Sequence, residues 1–368
     1  MAGKICRFGI LGTATIARKN WQAIHNSGNA TLVAVGSRSR ERAEKYIGEC
    51  QASVRFDPPP KALTYEELLA SPEIDAVYIP LPTGIRKECV IRAAQAKKHV
   101  LCEKPCGMNA DDLAEMLAAC REHNVQFMDG VMFMHSARLA SLRQTLDDGQ
   151  SVGQIKRIVS HFCFLGNDEF IEQNIRVNQQ LEPLGCLGDL GWYNIRLSLW
   201  AMNYKLPRQV SGRMLSAVGQ PGTDSAVPTE FSGELLFDGG VSAGFYCSFI
   251  TEHQQWANIG GANGFVHVPD FVLPFYGCEA AYTVTQARFD VRGSQFNMND
   301  HTRRVAVHEY SNNAPDSQET NLFRNFATLA ASGRPDPSWG EIALKTQRVI
   351  DACLQSSQRD GTLVALGQ

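Results

Sequence analysis

Short apolar runs alternate with amphipathic helical patterns over the first third of the chain. Lys4–Leu11, Thr31–Gly36, Ala76–Ile79, His99–Cys102 and Val125–Met128 read as buried strands, since aliphatic residues dominate each run. Between them, Ile16–Ile24, Glu41–Ile47, Tyr65–Leu69, Lys87–Lys97 and Asp111–His123 space their apolar residues as helices with one buried face do. Such alternation predicts a doubly wound parallel sheet with right-handed crossovers, an α/β Rossmann domain over residues 1–130. The prolines of Asp57-Pro-Pro-Pro60 make a stiff loop within that domain, because the alternation resumes after them.

From Gly153 the pattern changes. Gln154–Phe164 is a long strand candidate and Leu187–Trp200 a helix rich in aromatics. Thr229–Phe237 and Val241–Phe249 flank Asp238-Gly239-Gly240, a hairpin signal because glycine supplies positive φ. Further strands are expected at Ala257–Ile259, Gly264–Val268, Ala281–Phe289 and Arg304–Tyr310. Strands adjacent in sequence favour an open, mostly antiparallel sheet, so residues 131–368 are expected to form an α+β domain. The closing helices, Asn321–Ala331 and Glu341–Gln358, are expected to pack back onto the first domain.

Composition narrows the classes. A chain of 368 residues favours two domains, and 44% hydrophobic with 20% charged residues belongs to a folded, water-facing protein. A formal charge of −3 with scattered basic residues speaks against nucleic acid as partner. The 11 cysteines include no C-x-x-C pair, so no structural zinc site, and no metal, is expected. Cys102 and Cys106 read as small apolar residues. No apolar run is long enough to span a bilayer, and the N-terminus lacks the apolar stretch of an export signal. Free thiols without that signal predict a cytoplasmic protein.

Candidate chemistry begins where the first strand runs into Gly9-Ile10-Leu11-Gly12-Thr13-Ala14-Thr15-Ile16. A glycine-rich turn opening a helix aims backbone N–H groups at a pyrophosphate. The strict fingerprint has glycine at position 14, where alanine stands. At the end of the second strand, where a carboxylate would take the ribose hydroxyls of NAD(H), the chain has Ser37-Arg38-Ser39-Arg40. A guanidinium can grip a 2′-phosphate bidentately, which favours NADP(H); the same arginines would also serve as solvated charges at a helix start.

Leu81-Pro82-Thr83 after the next strand, then Glu103-Lys104-Pro105 after the one beyond it, make the pattern specific. With Phe127-Met128-Asp129, Arg176, Gly185-Cys186-Leu187-Gly188-Asp189 through Tyr193, and Ala343–Gln347, the chain resembles the glucose–fructose oxidoreductase/inositol dehydrogenase (Gfo/Idh/MocA) family over its whole length. It is most similar there to dimeric dihydrodiol dehydrogenases and NADP-dependent D-xylose 1-dehydrogenases. The resemblance implies hydride transfer between NADP(H) and a sugar-like substrate, cyclic alcohol or diol, and a homodimer formed through the C-terminal sheet. It matches the family's lysine to Lys104 and its helix Asp and Tyr to Asp189 and Tyr193. Tyr193 is then the general acid/base, Lys104 tunes it and binds the reacting oxygen, and Asp189 orients both. Leu81, Pro82, Thr83 and Glu103 would line the cofactor channel. Arg176 would contact the nicotinamide ribose or substrate, or be structural.

Two departures stand out. Arg86 occupies a position where relatives commonly carry His, and the paired glycines before the helix are reduced to Leu184-Gly185-Cys186. Both are expected near the nicotinamide. The alternative reading is a cofactor-sensing regulatory protein on the same fold. Such a protein would be expected to lose the lysine or the tyrosine, and both are present.

Overall fold

The glycine that ends the first strand governs how the chain enters its first helix. Gly12 sits at φ +116, a region closed to side chains, and its N–H bonds the Gly36 carbonyl at 2.9 Å. A Cβ there would also press on Leu81 Cδ2 at 2.9 Å. That turn joins β1 (Cys6–Leu11) to α1 (Thr15–Asn26) in the computed structural model, which describes residues 5–219 and 226–367. Lys4, expected to open β1, lies outside the described residues.

The chain continues through β2 (Ala30–Gly36), α2 (Arg40–Gln51), β3 (Lys61–Leu63), α3 (Tyr65–Ala70) and β4 (Ala76–Ile79). Then follow α4 (Arg86–Gln95), β5 (His99–Cys102), α5 (Ala110–Glu122) and β6 (Phe127–Asp129). All pairs are parallel, in the order β3-β2-β1-β4-β5-β6. The doubly wound order places the carboxyl ends of β1, β4 and β5 side by side, where such sheets bind ligands. Ser39, Asn109 and a Thr64/Glu67 capping box close the starts of α2, α5 and α3, whereas α1 begins at Ala14 without a side-chain cap.

The second sheet collects α6 (Ala137–Asp147), β7 (Ile155–Leu165), α7 (Asp168–Gln173), α8 (Gly185–Asp189) and α9 (Gly191–Ala201) around it. Its remaining strands are β8 (Gln209–Val218), β9 (Val227–Leu236), β10 (Ser242–Ser248), β11 (Ile250–Gln254), β12 (Ala257–Gly261), β13 (Phe265–Val268) and β14 (Glu279–Thr285). A separate hairpin, β15 (Arg288–Arg292) with β16 (Gln295–Asn299), precedes β17 (Thr302–His308). The ten-stranded sheet runs β17-β14-β13-β12-β7-β10-β9-β8-β18, with β11 on β7 and β18 being Val364–Ala365. It is antiparallel except where β10 meets β7. The Asp238-Gly-Gly turn joins β9 to β10 with Leu236 opposite Ser242, as its glycines predict.

Two expectations need correction. The single helix over Leu187–Trp200 is two helices, broken at Leu190 (φ −103, ψ −44). The strand expected over Ala281–Phe289 ends at Thr285, and Phe289 belongs to the exposed hairpin.

The chain forms two compact units. Unit one comprises residues 1–135, 180–183 and 312–348; unit two comprises 136–179, 184–311 and 349–368. In unit one, α10 (Gln318–Ala331) lays Phe323 and Phe326 on Phe8, with ring centroids 5.6 Å apart in each case. The last helix, α11 (Ser338–Ser357), divides its residues between the units.

Candidate active site

Unit one carries a turn held by polar bonds. Tyr78, wholly buried on β4, receives a hydrogen bond from Asn20 Nδ2 at 2.6 Å and donates to Glu103 Oε1 at 2.6 Å. Burial, reinforced by the Glu103 charge, pushes the Tyr78 phenol well above its ordinary pKa, so it stays a donor. The other Glu103 oxygen accepts the Lys104 N–H at 3.2 Å. The Lys104–Pro105 peptide is cis. Glu103 therefore lies beneath the turn as a backbone anchor, and Lys104 sits partly exposed above it.

Arg86 is only 3% exposed, and its guanidinium donates to backbone carbonyls of unit one. Nε donates to Leu81 O at 2.9 Å and Nη1 to Glu103 O at 2.7 Å, with further bonds to Pro105 O and Leu81 O. It fastens the carboxyl ends of β4 and β5 to each other, and those carbonyls occupy its guanidinium. Thr83 is buried, and its hydroxyl reaches Pro105 O at 3.3 Å. Cys102 and Cys106 are buried too, and burial holds the Cys106 thiol far above its ordinary value.

Of the cofactor residues expected from the sequence, those of unit one stand at the ends of β1, β2, β4 and β5 and at the start of α1, while Arg176 belongs to unit two. Gly9, Gly12 and Leu81 are buried, Thr13, Ala14 and Pro82 are partly exposed, and Thr15 and Ile16 are exposed at the start of α1. With no side chain capping α1, its first N–H groups remain available for an anion. Ser37 is buried, its N–H on Leu63 O at 3.0 Å. Arg40 is committed to Glu67, at 2.7 and 2.9 Å. Arg38 is exposed and has no hydrogen bond or ion pair among the described residues. Arg38 and Arg42 both lower the Tyr65 phenol electrostatically, against a larger rise from burial. Arg42, in the first turn of α2, thus lies within electrostatic reach of the same phenol as Arg38. An anionic dinucleotide fits these groups: an uncapped helix start, a turn without a side chain, and an uncommitted guanidinium.

Unit two carries the phenol. Every residue of α9 is buried, and Asn194 Nδ2 bonds Ser160 Oγ at 2.9 Å, seating the helix on β7. Phe162 meets the Tyr193 ring edge-on at 5.5 Å. The break at Leu190 places Asp189 at the end of α8 and Tyr193 in the first turn of α9, so they do not share one continuous helical face. Asp189 Oδ2 accepts Arg176 Nε at 2.9 Å, tying these two predicted residues to each other. Gly185, at φ +47, packs against the Pro228 carbonyl. Asn167, Asp168 and Glu169 form the start of α7, with Asn167 capping Phe170 N at 2.9 Å. Among the described residues no cluster of His, Cys, Asp or Glu could hold a metal, and no helix is long and apolar enough to cross a membrane.

Comparison with known proteins follows the same division. Residues 6–131 match the GFO_IDH_MocA oxidoreductase family with an NAD-binding Rossmann fold, and residues 139–267 match the GFO/IDH/MocA C-terminal domain. A dTDP-3,4-didehydro-2,6-dideoxy-α-D-glucose 3-reductase from Saccharopolyspora spinosa is 31% identical over 277 residues, 74% of this chain and 76% of its own. A D-xylose 1-dehydrogenase (NADP(+)) from Haloferax volcanii is 28% identical, covering 95% of this chain and 97% of its own. The fold is shared with a 3-ketoreductase from Actinomadura kijaniata solved with NADP and TDP-benzene (TM-score 0.80, 22% identity, 96% of this chain and 98% of that one). On both matched stretches and on the 31% identity with a relative covered over 76% of its length, the chain belongs to the GFO/IDH/MocA oxidoreductase family.

Proposed function

We propose that this protein is an NADP(H)-dependent oxidoreductase acting on a CH–OH group of a sugar or related cyclic alcohol or diol, or on the matching carbonyl. The observation that carries the reading is the amine-bearing turn after β5, pinned from below by Glu103 and Arg86. The bound nicotinamide would supply or accept the hydride. The start of α1 with Gly12 would hold the pyrophosphate, Ser37 and Arg38 the 2′-phosphate end, and Leu81, Pro82 and Thr83 the channel toward the nicotinamide. The NADP(+)-linked D-xylose 1-dehydrogenase relative supports that choice over NAD(H).

In this reading Tyr193 moves the proton at the reacting oxygen. A phenol ordinarily titrates near 10 and needs a cationic neighbour to work at neutral pH. The proposal assigns that task to the Lys104 ammonium, which also binds the reacting oxygen. Asp189, with Arg176 on one carboxylate oxygen, would accept a substrate hydroxyl. The domain division at residue 130 and a homodimer formed through the ten-stranded sheet belong to the same proposal. One sheet face takes α9; the other carries Arg157, His161, Tyr246 and Trp256, all reaching solvent.

The test is a panel of aldoses, dihydrodiols, anhydro-ketoses and nucleotide-linked keto-sugars with both cofactors, read by nicotinamide absorbance. Turnover with NADP(H) and a sugar-type compound supports the reading. NADPH binding without turnover across the panel would favour a sensor.

A further inference from the structure

The path between α7 and α8 holds a detail that the proposed chemistry does not use. Residues 180–183 belong to unit one, while Gln179 and Leu184 belong to unit two. This four-residue strap lies on the turn after β4. Thr83 N donates to Glu182 Oε1 at 2.9 Å, and Thr83 Oγ1 donates to Glu182 Oε2 at 2.6 Å. Beside them Gly84 N donates to Leu181 O at 2.9 Å. Any Cβ at position 84 would collide with the Gln180 carbonyl oxygen, so the strap lies flat only because that residue is glycine. Both Glu182 oxygens thus grip one buried threonine, 99 positions earlier in the chain. Thr83 also opens the helical run that leads into α4, where the N-terminal dipole favours an anion.

We propose that Glu182 is a positioning residue for the reaction. It fixes the strap on Thr83, and the strap is joined through Pro183 and Leu184 to α8, which ends in Asp189, four positions before Tyr193. Thr83 Oγ1 also lies 3.3 Å from Pro105 O, so within unit one the carboxylate holds the strap at a point beside the Lys104 turn. The inference rests on the assignment of Lys104, Asp189 and Tyr193 above. Loss of the grip frees the start of α8, and a displacement of about 1 Å in catalytic groups costs on the order of a hundred-fold in rate.

The test uses the full chain with Glu182→Ala, Glu182→Gln, Thr83→Val and Thr83→Ser. In protein without cofactor, hydrogen exchange at the Thr83 and Gly84 amides should rise in Glu182→Ala and less in Glu182→Gln, which keeps one acceptor oxygen. In the active enzyme Glu182→Ala should lower kcat about ten- to a hundred-fold while the NADPH dissociation constant, read by fluorescence, stays within about three-fold. Thr83→Ser should regain most of the kcat that Thr83→Val loses. Unchanged exchange in both Glu182 variants overturns the grip, whatever the activity. Raised exchange with wild-type kcat and KM overturns the positioning role. Raised exchange in a protein inactive on every substrate sinks the oxidoreductase reading, and positioning with it, while the grip itself stands.

Discussion

The turn that presents Lys104 and the helix that presents Tyr193 are held in place by different forces. Beneath Lys104 lies a chain of buried polar bonds, Asn20 to Tyr78 to Glu103 to the Lys104 N–H, with Arg86 crossing three carbonyls alongside. Around Tyr193 packing is prominent: α9 is entirely buried, the Phe162 ring meets Tyr193 edge-on, and Asn194 bonds Ser160 in β7. Polar networks in a low-dielectric interior are strong when complete and costly when one member is lost. Packed apolar sites tolerate a swap that keeps shape. The two halves of the proposed site should therefore fail in different ways.

Tyr193→Phe gives the largest separation. The ring keeps its place beside Phe162 and only the hydroxyl goes. Turnover should fall about a hundred- to ten-thousand-fold, as for loss of a general acid/base, while NADPH affinity and thermal stability stay near wild type. A variant that unfolds more easily yet turns over normally would make Tyr193 a core residue and remove it from the chemistry.

Arg86→Met tests the polar side. The shape is roughly kept, but the Leu81, Glu103 and Pro105 carbonyls lose their donor in a buried setting. Each orphaned group costs about 1–3 kcal/mol, so denaturant unfolding should show a loss of about 3 kcal/mol or more. A loss under about 1 kcal/mol would mean that the turn does not depend on the network. At the exposed edge of the same unit, Arg38→Ala should raise KM for NADPH about ten-fold with little change for NADH. Arg40→Ala should alter neither, because Arg40 already pairs with Glu67. Equal effects from the two arginines would put the phosphate elsewhere.

The same contrast explains what the sequence made legible. Unit one's strands and helices advertise themselves because each buried face has its own period, and the glycine turn, Ser-Arg and Glu-Lys-Pro stand at strand ends that the topology then brings together. The break at Leu190 was marked only by Gly188 and Gly191 around it: no proline interrupts the run, and with every α9 residue buried, Asn194, Arg196 and Ser198 included, no amphipathic period was left to read. The split of Ala281–Phe289 was hidden because alternation continues into β15, whose Phe289 stacks on Phe296 of β16 in the open instead of joining the main sheet. Arg86 and Glu182 were out of reach for a different reason. Their partners are carbonyls and a threonine set by tertiary contact, up to 99 positions away. Nor can the order Ser37-Arg38-Ser39-Arg40 say which guanidinium a distant Glu67 will take.

The smallest expected effect lies on the packed side, on the strand that supports Tyr193. His161 follows Ser160 and precedes Phe162 on β7, and its ring stacks on Trp256 at 4.3 Å with Tyr246 at 5.3 Å. Burial lowers its pKa below the usual 6.5, with a hydrogen bond to the Gln254 side chain opposing the shift. Well above pH 6.5 the ring is neutral in folded and unfolded chains alike, and it adds no pH dependence. As pH falls below that value the unfolded chain takes up a proton that the folded one resists, so stability drops until the lowered folded pKa is passed. His161→Phe keeps an aromatic ring in the stack and removes the titration. Its Tm should therefore gain on wild type as pH is lowered from 7 toward 5, by a few degrees at most. A gap that stays constant over that range would show that His161 is freely protonated in the folded protein, and that packing on this strand does not exclude charge.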